Sequence, residues 1–406
     1  MRMFPTIAVC LAACTVPPAV PIADADWPQF RGTRGDGVST ETGWSERFGD
    51  GAPRVAWERR IGVGYASVSV ADGRLYTAGW SEGDGTIHCL DAVSGDEIWA
   101  HRYPIARYDR QHKGGPAGTP ATHDGRVYAL TRDAELLCLD AAKGGVLWSR
   151  RLMDEFGVEH PRFAFTGSPV VHGDHVYVDA GCIAAFDKAT GAPVWRTKNY
   201  GPAYSTPVPF EVDGRSLIAA FPREGAVVLD RATGAEHGMH PWLNPYGNNA
   251  VVPVIDGRRV LVSSGDDVGA VMLEVTDDGL DVIWESRKFR NKMATSVLLD
   301  GHLYGFDVAV LRCLDVRDGT AKWAQRGLGK GTLMAAGDRL IVLTEDGELV
   351  TARATPTAFE VLDRAKVLDA GQCWTVPVLS NGRIYCRGAD GQLVCVDVRG
   401  RGKGRN

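Results

Sequence analysis

The chain has 406 residues, 44% hydrophobic and 23% charged, a balance that suits a soluble globular protein and excludes a disordered or collagen-like one. A formal net charge of −5 excludes nucleic-acid binding through bulk electrostatics. The 49 Gly and 21 Pro are spread along the chain rather than gathered in one block, which implies many turns.

Residues 1–25 read as a signal peptide. "MRM" carries a positive charge, and "FPTIAVCLAACTV" is an apolar run below the ~20 residues that cross a bilayer as a helix. "ADA" at 23–25 fits cleavage before Asp26, whereas "LAAC" at 11–14 resembles a bacterial lipobox that would leave Cys14 lipidated. Either alternative places the mature protein outside the cytoplasm, periplasmic or secreted, and the second makes it an outer-membrane lipoprotein. A lipid on Cys14 would be its sole membrane contact. Residues 26–52 form an N-terminal extension that opens with "DWPQFRGTRGDG", and residues 401–406 form a basic C-terminal tail.

Between these ends, from 53 to 400, the sequence repeats. "LDAVSGDEIW" (90–99), "LDAAKGGVLW" (139–148), "AFDKATGAPVW" (185–195) and "LDVRDGTAKW" (314–323) each place Gly four positions after Asp and Trp eight positions after it. The marked residues include Asp91, Trp99, Asp140, Trp148, Asp187, Gly191, Trp195, Asp315 and Trp323. An active site is usually built once, so this repetition speaks for architecture. Asp and Thr accept hydrogen bonds from turn amides, Gly takes the positive φ, and Trp packs between neighbouring sheets.

Upstream of each such turn lies a hairpin signature, such as "TPATHDGRVYAL" (119–130) or "VPVLSNGRIYC" (376–386). The turns fall near Asp72, Asp124, Gly173, Asp213, Asp256, Asp300, Gly337 and Asn381. Four strands in roughly 37–52 residues is propeller-blade spacing. The expected fold is all-β: an eight-bladed β-propeller of four-stranded antiparallel blades. The eighth hairpin has no outer strand after it, but "VAWERR" (55–60) resembles "VLWSRR" (146–151), so Trp57 and its neighbours should complete the last blade and close the ring.

Cys89, Cys138, Cys313 and Cys395 occupy one repeat position and read as small buried apolar residues. If Asp390-Gly391 is a two-residue turn, Cys386 and Cys395 face each other with Cα atoms ~4.5 Å apart, a geometry open to an extracytoplasmic disulfide. No CxxC pair or Cys/His cluster is present, and His112 and His160 lack ligand-spaced partners, so no metal site is expected.

These residues resemble the pyrroloquinoline quinone (PQQ) repeat family, the propellers of quinoprotein alcohol dehydrogenases. "AFDKATGAPVW" matches its A-x-D-x-x-T-G-x-x-x-W blade motif in full, and "CLDAVSGDEIW" in part. The resemblance covers 53–400 and implies the fold; the motif is the dock between blades, so it implies little about chemistry. "DWPQFRGTRGDG" looks like the start of many secreted bacterial proteins with these repeats. Size, lipobox and all-propeller layout are also similar to the outer-membrane assembly lipoproteins of the superfamily, which are non-catalytic scaffolds. Unlike the dehydrogenases, this chain has no adjacent Cys-Cys pair and no C-x-x-C-H. No local motif places a calcium-and-Asp catalytic set.

In such blades the outer strand returns to the axis by a connector, and all eight connectors gather at one channel mouth. They hold His112, Lys113, Arg162, Phe165, Tyr204, Asn248, Asn249, Arg290, Asn291, Lys292, Lys330 and Trp374. Cations attract carboxylates, aromatic rings stack planar groups and amides fix orientation, so the set reads as a funnel for an anionic or aromatic ligand. The competing reading is a solvated polar rim. No nucleophile or acid–base pair stands out. Two functions follow. One is a secreted or periplasmic propeller, expected to be monomeric, that binds an envelope protein or a small anionic ligand without catalysis. The other is a PQQ-dependent dehydrogenase, with calcium, at a divergent site.

Overall fold

The computed structural model describes residues 26–48, 53–107, 109 and 112–400. The expected signal peptide, with Cys10 and Cys14, and the basic tail lie outside the described residues.

Eight sheets stand around one axis, seven of four antiparallel strands and one of four with a fifth, parallel strand added. Blade one spans 69–104, two 121–151, three 170–196, four 208–241, five 254–286, six 297–325 and seven 332–366. Blade eight joins three strands of 378–397 to Val55–Arg60 from the start of the chain. Among the described residues the one α-helix is the single turn Leu152–Phe156.

Turn chemistry sets the inner hairpins. Asp72-Gly73, Asp124-Gly125, Asp213-Gly214, Asp300-Gly301 and Asn381-Gly382 all have positive φ at both central residues, the type I′ geometry that Asx-Gly pairs adopt. At Gly173, Gly257 and Gly337 only the first central residue is left-handed, as in type II′. Each innermost strand therefore runs from the connector mouth to a tight turn at the opposite end.

The repeated Ser/Thr-Pro segments at blade starts tie neighbouring blades together. The amide of Ser67 donates to Thr119 Oγ1 (3.0 Å), that of Thr119 to Ser168 Oγ (2.9 Å), and that of Ser168 to Thr206 Oγ1 (2.9 Å). Val252 repeats the bond to Thr295, and Ser67 Oγ returns to the Val376 carbonyl of blade eight.

The Asp–Gly–Trp spacing makes the dock between blades. Asp187 Oδ1 accepts the amides of Ala189 and Thr190 and the Thr190 hydroxyl, and Gly191 turns with φ +73°. The ring of the preceding blade's Trp lies flat against that glycine: a Cβ on Gly191 would stand 2.7 Å from Trp148, and one on Gly144 2.5 Å from Trp99. Each indole N–H caps a carbonyl of the next blade. Trp57 donates to Ala92 (3.3 Å), Trp99 to Ala141 (2.9 Å), Trp148 to Lys188 (3.3 Å), Trp195 to Arg231 (3.0 Å) and Trp323 to Thr355 (2.8 Å). Trp284 of blade five donates to Val316 in the same way, although no Asp precedes it at the repeat spacing. Tyr76, Tyr128, Tyr177, Tyr304 and Tyr385 brace five of these rings from within their own blades, with centroids 5.8–6.0 Å apart.

Ring closure is as expected. Val55–Arg60 pairs antiparallel with Gln392–Asp397, with Trp57 opposite Cys395. The second contribution of the N-terminus is a plug across the turn end of the channel. Trp27 exchanges two backbone hydrogen bonds with Val70 of blade one, Pro28 accepts from Thr122 of blade two, and Gln29 Oε1 accepts from Val171 of blade three. Arg31 donates to the carbonyl of Ser296 at blade six. Val38–Ser39 lies parallel to the inner strand of blade seven, and Glu41 accepts from Gly382 of blade eight. Six blades are thus bonded to 26–41.

One expectation fails. Cys386 lies opposite Val394, and Cys395 opposite Tyr385. The connection is not the two-residue turn Asp390-Gly391; Gly388 donates to Gln392 O and closes a longer loop. That shifts the register by one residue and sends the two thiols to opposite faces of the sheet. Both are buried and free.

Candidate functional site

The connectors enclose a cup of about 350 Å³ at the mouth opposite the plug. Six of the residues singled out from sequence line it: His112, Tyr204, Asn248, Lys292, Lys330 and Trp374. The other six are elsewhere. Lys113 and Arg162 are exposed outside the lining, and Phe165 is buried in the core between blades two and three. Asn249 and Asn291 turn their amides inward, onto the carbonyls of Pro222 (2.8 Å) and Phe306 (2.9 Å). Arg290 is held by Asp307 (2.8 Å) and Asp267 (2.6 Å).

One wall is aromatic. Trp374 stacks on Tyr65 with centroids 5.8 Å apart and planes 19° apart. Tyr65 meets the edge of His112 at 5.1 Å, His112 meets Phe163 at 5.1 Å, and Phe163 meets Tyr204 at 5.9 Å. The arc spans connectors from blade eight to blade four. Burial keeps the Tyr65 phenol protonated, with its pKa pushed up to about 12. Burial, then the nearby Arg132, push the His112 imidazole down, so the ring is neutral at neutral pH.

The rest of the lining is polar and cationic. Lys292 Nζ pairs with Asp266 Oδ1 at 2.6 Å, and Asn248 donates to the other oxygen of that carboxylate at 3.2 Å. Burial opposes ionisation of Asp266, but Lys292, Asn248 and Asn244 together hold it below the usual carboxylate range. Lys330 Nζ lies 5.5 Å from the Trp374 ring centroid, a cation–π distance. Glu345, behind them, accepts from the indole N–H (3.1 Å) and from the Lys330 amide (3.1 Å). Thus Asp266 and Glu345 position the lining from outside it; among the described residues the lining contains no Asp or Glu. Thr375 Oγ1 and Asn248 Oδ1, both on lining residues, are buried without a hydrogen-bond partner. Among the described residues no group of three or more His, Cys, Asp or Glu is placed to hold a metal ion.

The reading from sequence did not single out Phe30, Tyr65, Arg132, Phe163 or Thr375. Tyr65, Phe163 and Thr375 sit in the connectors themselves. Arg132 lies in the loop between the second and third strands of blade two, which opens at the same mouth. Phe30 comes from the plug.

A family model described as outer membrane protein assembly factor BamB matches residues 83–325 and 307–403. The chain belongs to this family of PQQ-repeat propellers. Solved structures carry the same fold as this BamB-family chain. The quinohemoprotein alcohol dehydrogenase from Comamonas testosteroni superposes with a TM-score of 0.68 at 15% identity, covering 94% of this chain and 82% of that one. BamB from Moraxella catarrhalis gives 0.60 at 17% identity, covering 85% and 100%. The computationally designed Ika8 protein gives 0.61 at 12% identity, covering 86% and 100%. None of the curated proteins matches the sequence. No helix among the described residues is long and apolar enough to cross a membrane.

Proposed function

We propose that this chain is a non-catalytic extracytoplasmic propeller whose axial cup binds an anionic aromatic group, carried by a small molecule or presented by an envelope protein. The observation that supports this most directly is the gathering of aromatic rings and a cation in one cup. The stack from Trp374 to Tyr204 offers faces and edges to a planar group, and Lys330, beside Trp374, offers charge to a carboxylate, with Lys292 already paired to Asp266. A cup of about 350 Å³ falls in the size range of small-molecule sites. Membership of the BamB family supports an extracytoplasmic binding role. The test is isothermal titration with PQQ, used as a planar polycarboxylate, together with pull-down from an envelope extract. Binding that Trp374→Ala and Lys330→Ala each weaken about tenfold or more supports the reading. Neither titratable binding nor a captured protein would remove it.

A second reading, quinone-dependent oxidation, takes support from the same stacked pair, since a planar quinone anion suits the rings and lysines. Calcium does not suit the lining. It takes about 6–8 oxygen ligands, carboxylates prominent among them, and the described lining offers hydroxyl and amide oxygens beside the cations Arg132, Lys292 and Lys330. The residues therefore fit the anion and not the metal–quinone pair. Reduction of a dye by protein reconstituted with PQQ, calcium and an alcohol would replace the first reading with this one.

A further inference from the structure

The opening motif "DWPQFRGTRGDG" has a role that neither the repeats nor the connectors explain. We propose that Phe30, carried into the channel by this segment, is a specificity-determining residue of the axial cup. It forms the cup's floor and so sets how long a ring system can enter. The inference rests on the binding role proposed above.

The geometry supplies the argument. Phe30 is the one residue of the plug in the lining of the cup. Its neighbours in sequence are each fixed to a different blade: Trp27 to blade one, Pro28 to blade two, Gln29 to blade three and Arg31 to blade six. The backbone at residue 30 is therefore held from several sides. Arg31 is the central anchor. It is 2% exposed, and its guanidinium donates to the carbonyls of Gly35 (3.0 Å), Asp36 (2.7 Å) and Ser296 (2.8 Å). The glycines of the motif make this possible. Gly32 turns with φ +78° directly against the Trp27 ring, where a Cβ would stand 2.9 Å away, and Gly37 turns with φ +76° against the Arg31 guanidinium. A floor made by one aromatic side chain on a rigid support differs from a floor made by a blade. Its size can change without disturbing the repeat.

The chemistry follows from shape. A planar carboxylate that stacks on Trp374 and Tyr65, with its charge toward Lys330, extends its far edge down the axis toward Phe30. A four-ring acid reaches further toward the floor than a two-ring acid, so its affinity is the more sensitive to the side chain there. Phe30→Ala deepens the cup, and Phe30→Trp shortens it.

Two measurements test this. First, Phe30→Cys and Trp27→Cys are treated with a small methanethiosulfonate reagent. The native thiols of the described residues are all buried, so labelling of Phe30→Cys above the wild-type background, without labelling of Trp27→Cys, shows that residue 30 faces the cup. Absence of that labelling overturns the inference whatever the ligand. Second, naphthalene-2-carboxylate and pyrene-1-carboxylate are titrated against wild type, Phe30→Ala, Phe30→Trp and Trp374→Ala. The expected result is that Phe30→Ala shifts the affinity ratio at least tenfold toward pyrene-1-carboxylate and Phe30→Trp shifts it the other way. Trp374→Ala should weaken both probes with little change in ratio. A ratio unmoved by both Phe30 variants, while Trp374→Ala still weakens binding, leaves the cup as the site and overturns the floor as its selector. Labelled Phe30→Cys with no binding of either probe to wild type overturns the selection by ring length, while the binding role stands or falls on the PQQ titration and the pull-down.

Discussion

Replacing Gly144 with alanine tests the dock between blades one and two against a built-in control. Gly144 (φ +72°) and Gly125 (φ +70°) are both left-handed, so an added Cβ costs each of them about 1–2 kcal/mol in backbone strain. They differ in surroundings. A Cβ on Gly125 meets nothing within 4 Å, whereas one on Gly144 stands 2.5 Å from Trp99 Cε3 and 2.7 Å from Cδ2. Trp99 is 8% exposed, and its Nε1–H donates to Ala141 O at 2.9 Å, so the ring cannot retreat without losing that bond and part of its burial. The lost hydrogen bond is worth about 1 kcal/mol, and full removal of a buried Trp side chain about 3–5 kcal/mol. A partly unseated ring falls between these. Gly144→Ala should therefore cost about 3–4 kcal/mol in all, against about 1–2 for Gly125→Ala. In a Trp99→Ala background the clash is gone, and Gly144→Ala should again cost about 1–2 kcal/mol, leaving a coupling of about 2 kcal/mol between the two sites. Urea unfolding followed by circular dichroism measures all four variants. If Gly144→Ala costs no more than Gly125→Ala, or the coupling is zero, the ring is not seated on the glycine and the account of the repeat motif fails.

Other expectations follow from the same structure. Trp57→Ala removes the closing dock onto Gly95 of blade one and should lower stability by about 3–5 kcal/mol in urea unfolding; a loss below about 1 kcal/mol would mean the ring does not depend on that strand. The buried Asp179 carboxyl has its pKa pushed up to about 7 by burial, so the folded state holds a proton that the unfolded state releases near pH 4. Stability should then fall as pH rises from about 4 to about 7, by up to about 1.4 kcal/mol per pH unit, and Asp179→Asn should flatten that fall relative to wild type. A parallel pH profile for the variant would contradict the assignment. Intact mass under non-reducing conditions, with and without dithiothreitol, should show Cys386 and Cys395 as free thiols; a two-dalton difference assigned to that pair would contradict the register.

The parts of the fold that local chemistry dictates were legible in the sequence. Asx-Gly pairs at five hairpins force type I′ turns, and the fixed interval from Asp through Gly to Trp marks the blade docks. The cup was half legible. His112, Tyr204, Asn248, Lys292, Lys330 and Trp374 stand out because connectors converge, but convergence does not say which way a side chain points. Asn249 and Asn291 look like ligand amides in the sequence and instead satisfy backbone carbonyls, a need that no linear pattern displays. Arg290 looks like a free cation and is neutralised by Asp307, seventeen positions on. Phe30 could not be found by repeat logic, because it reaches the axis through a thread with no counterpart in any blade. The Cys386–Cys395 pairing failed on a single residue of loop length.

The two blades that break the pattern show what a seam requires. Blade four has Gly238 at the Trp position, and a Cβ there would meet Leu280 at 3.0 Å and Gly279 at 3.1 Å. The backbones themselves close the gap, and His237 Nε2 takes the place of the indole N–H at the Thr276 carbonyl, 2.9 Å away. Blade seven has no Trp either. Beside it, Trp44 from the N-terminal segment bridges to Arg399 in the turn after the last strand and packs on a core that holds Leu349 of blade seven and Leu393 of blade eight. A seam therefore needs a filled groove and a capped carbonyl, and the identity of the filler is free. Trp44 at the seam, Trp57 at the closing strand and Phe30 at the cup all come from the first sixty residues. The segment that holds the ring shut is also the one that shapes its pocket, so a change that loosens the N-terminus should weaken both stability and binding, whereas a change at a lining residue such as Lys330 should touch binding alone.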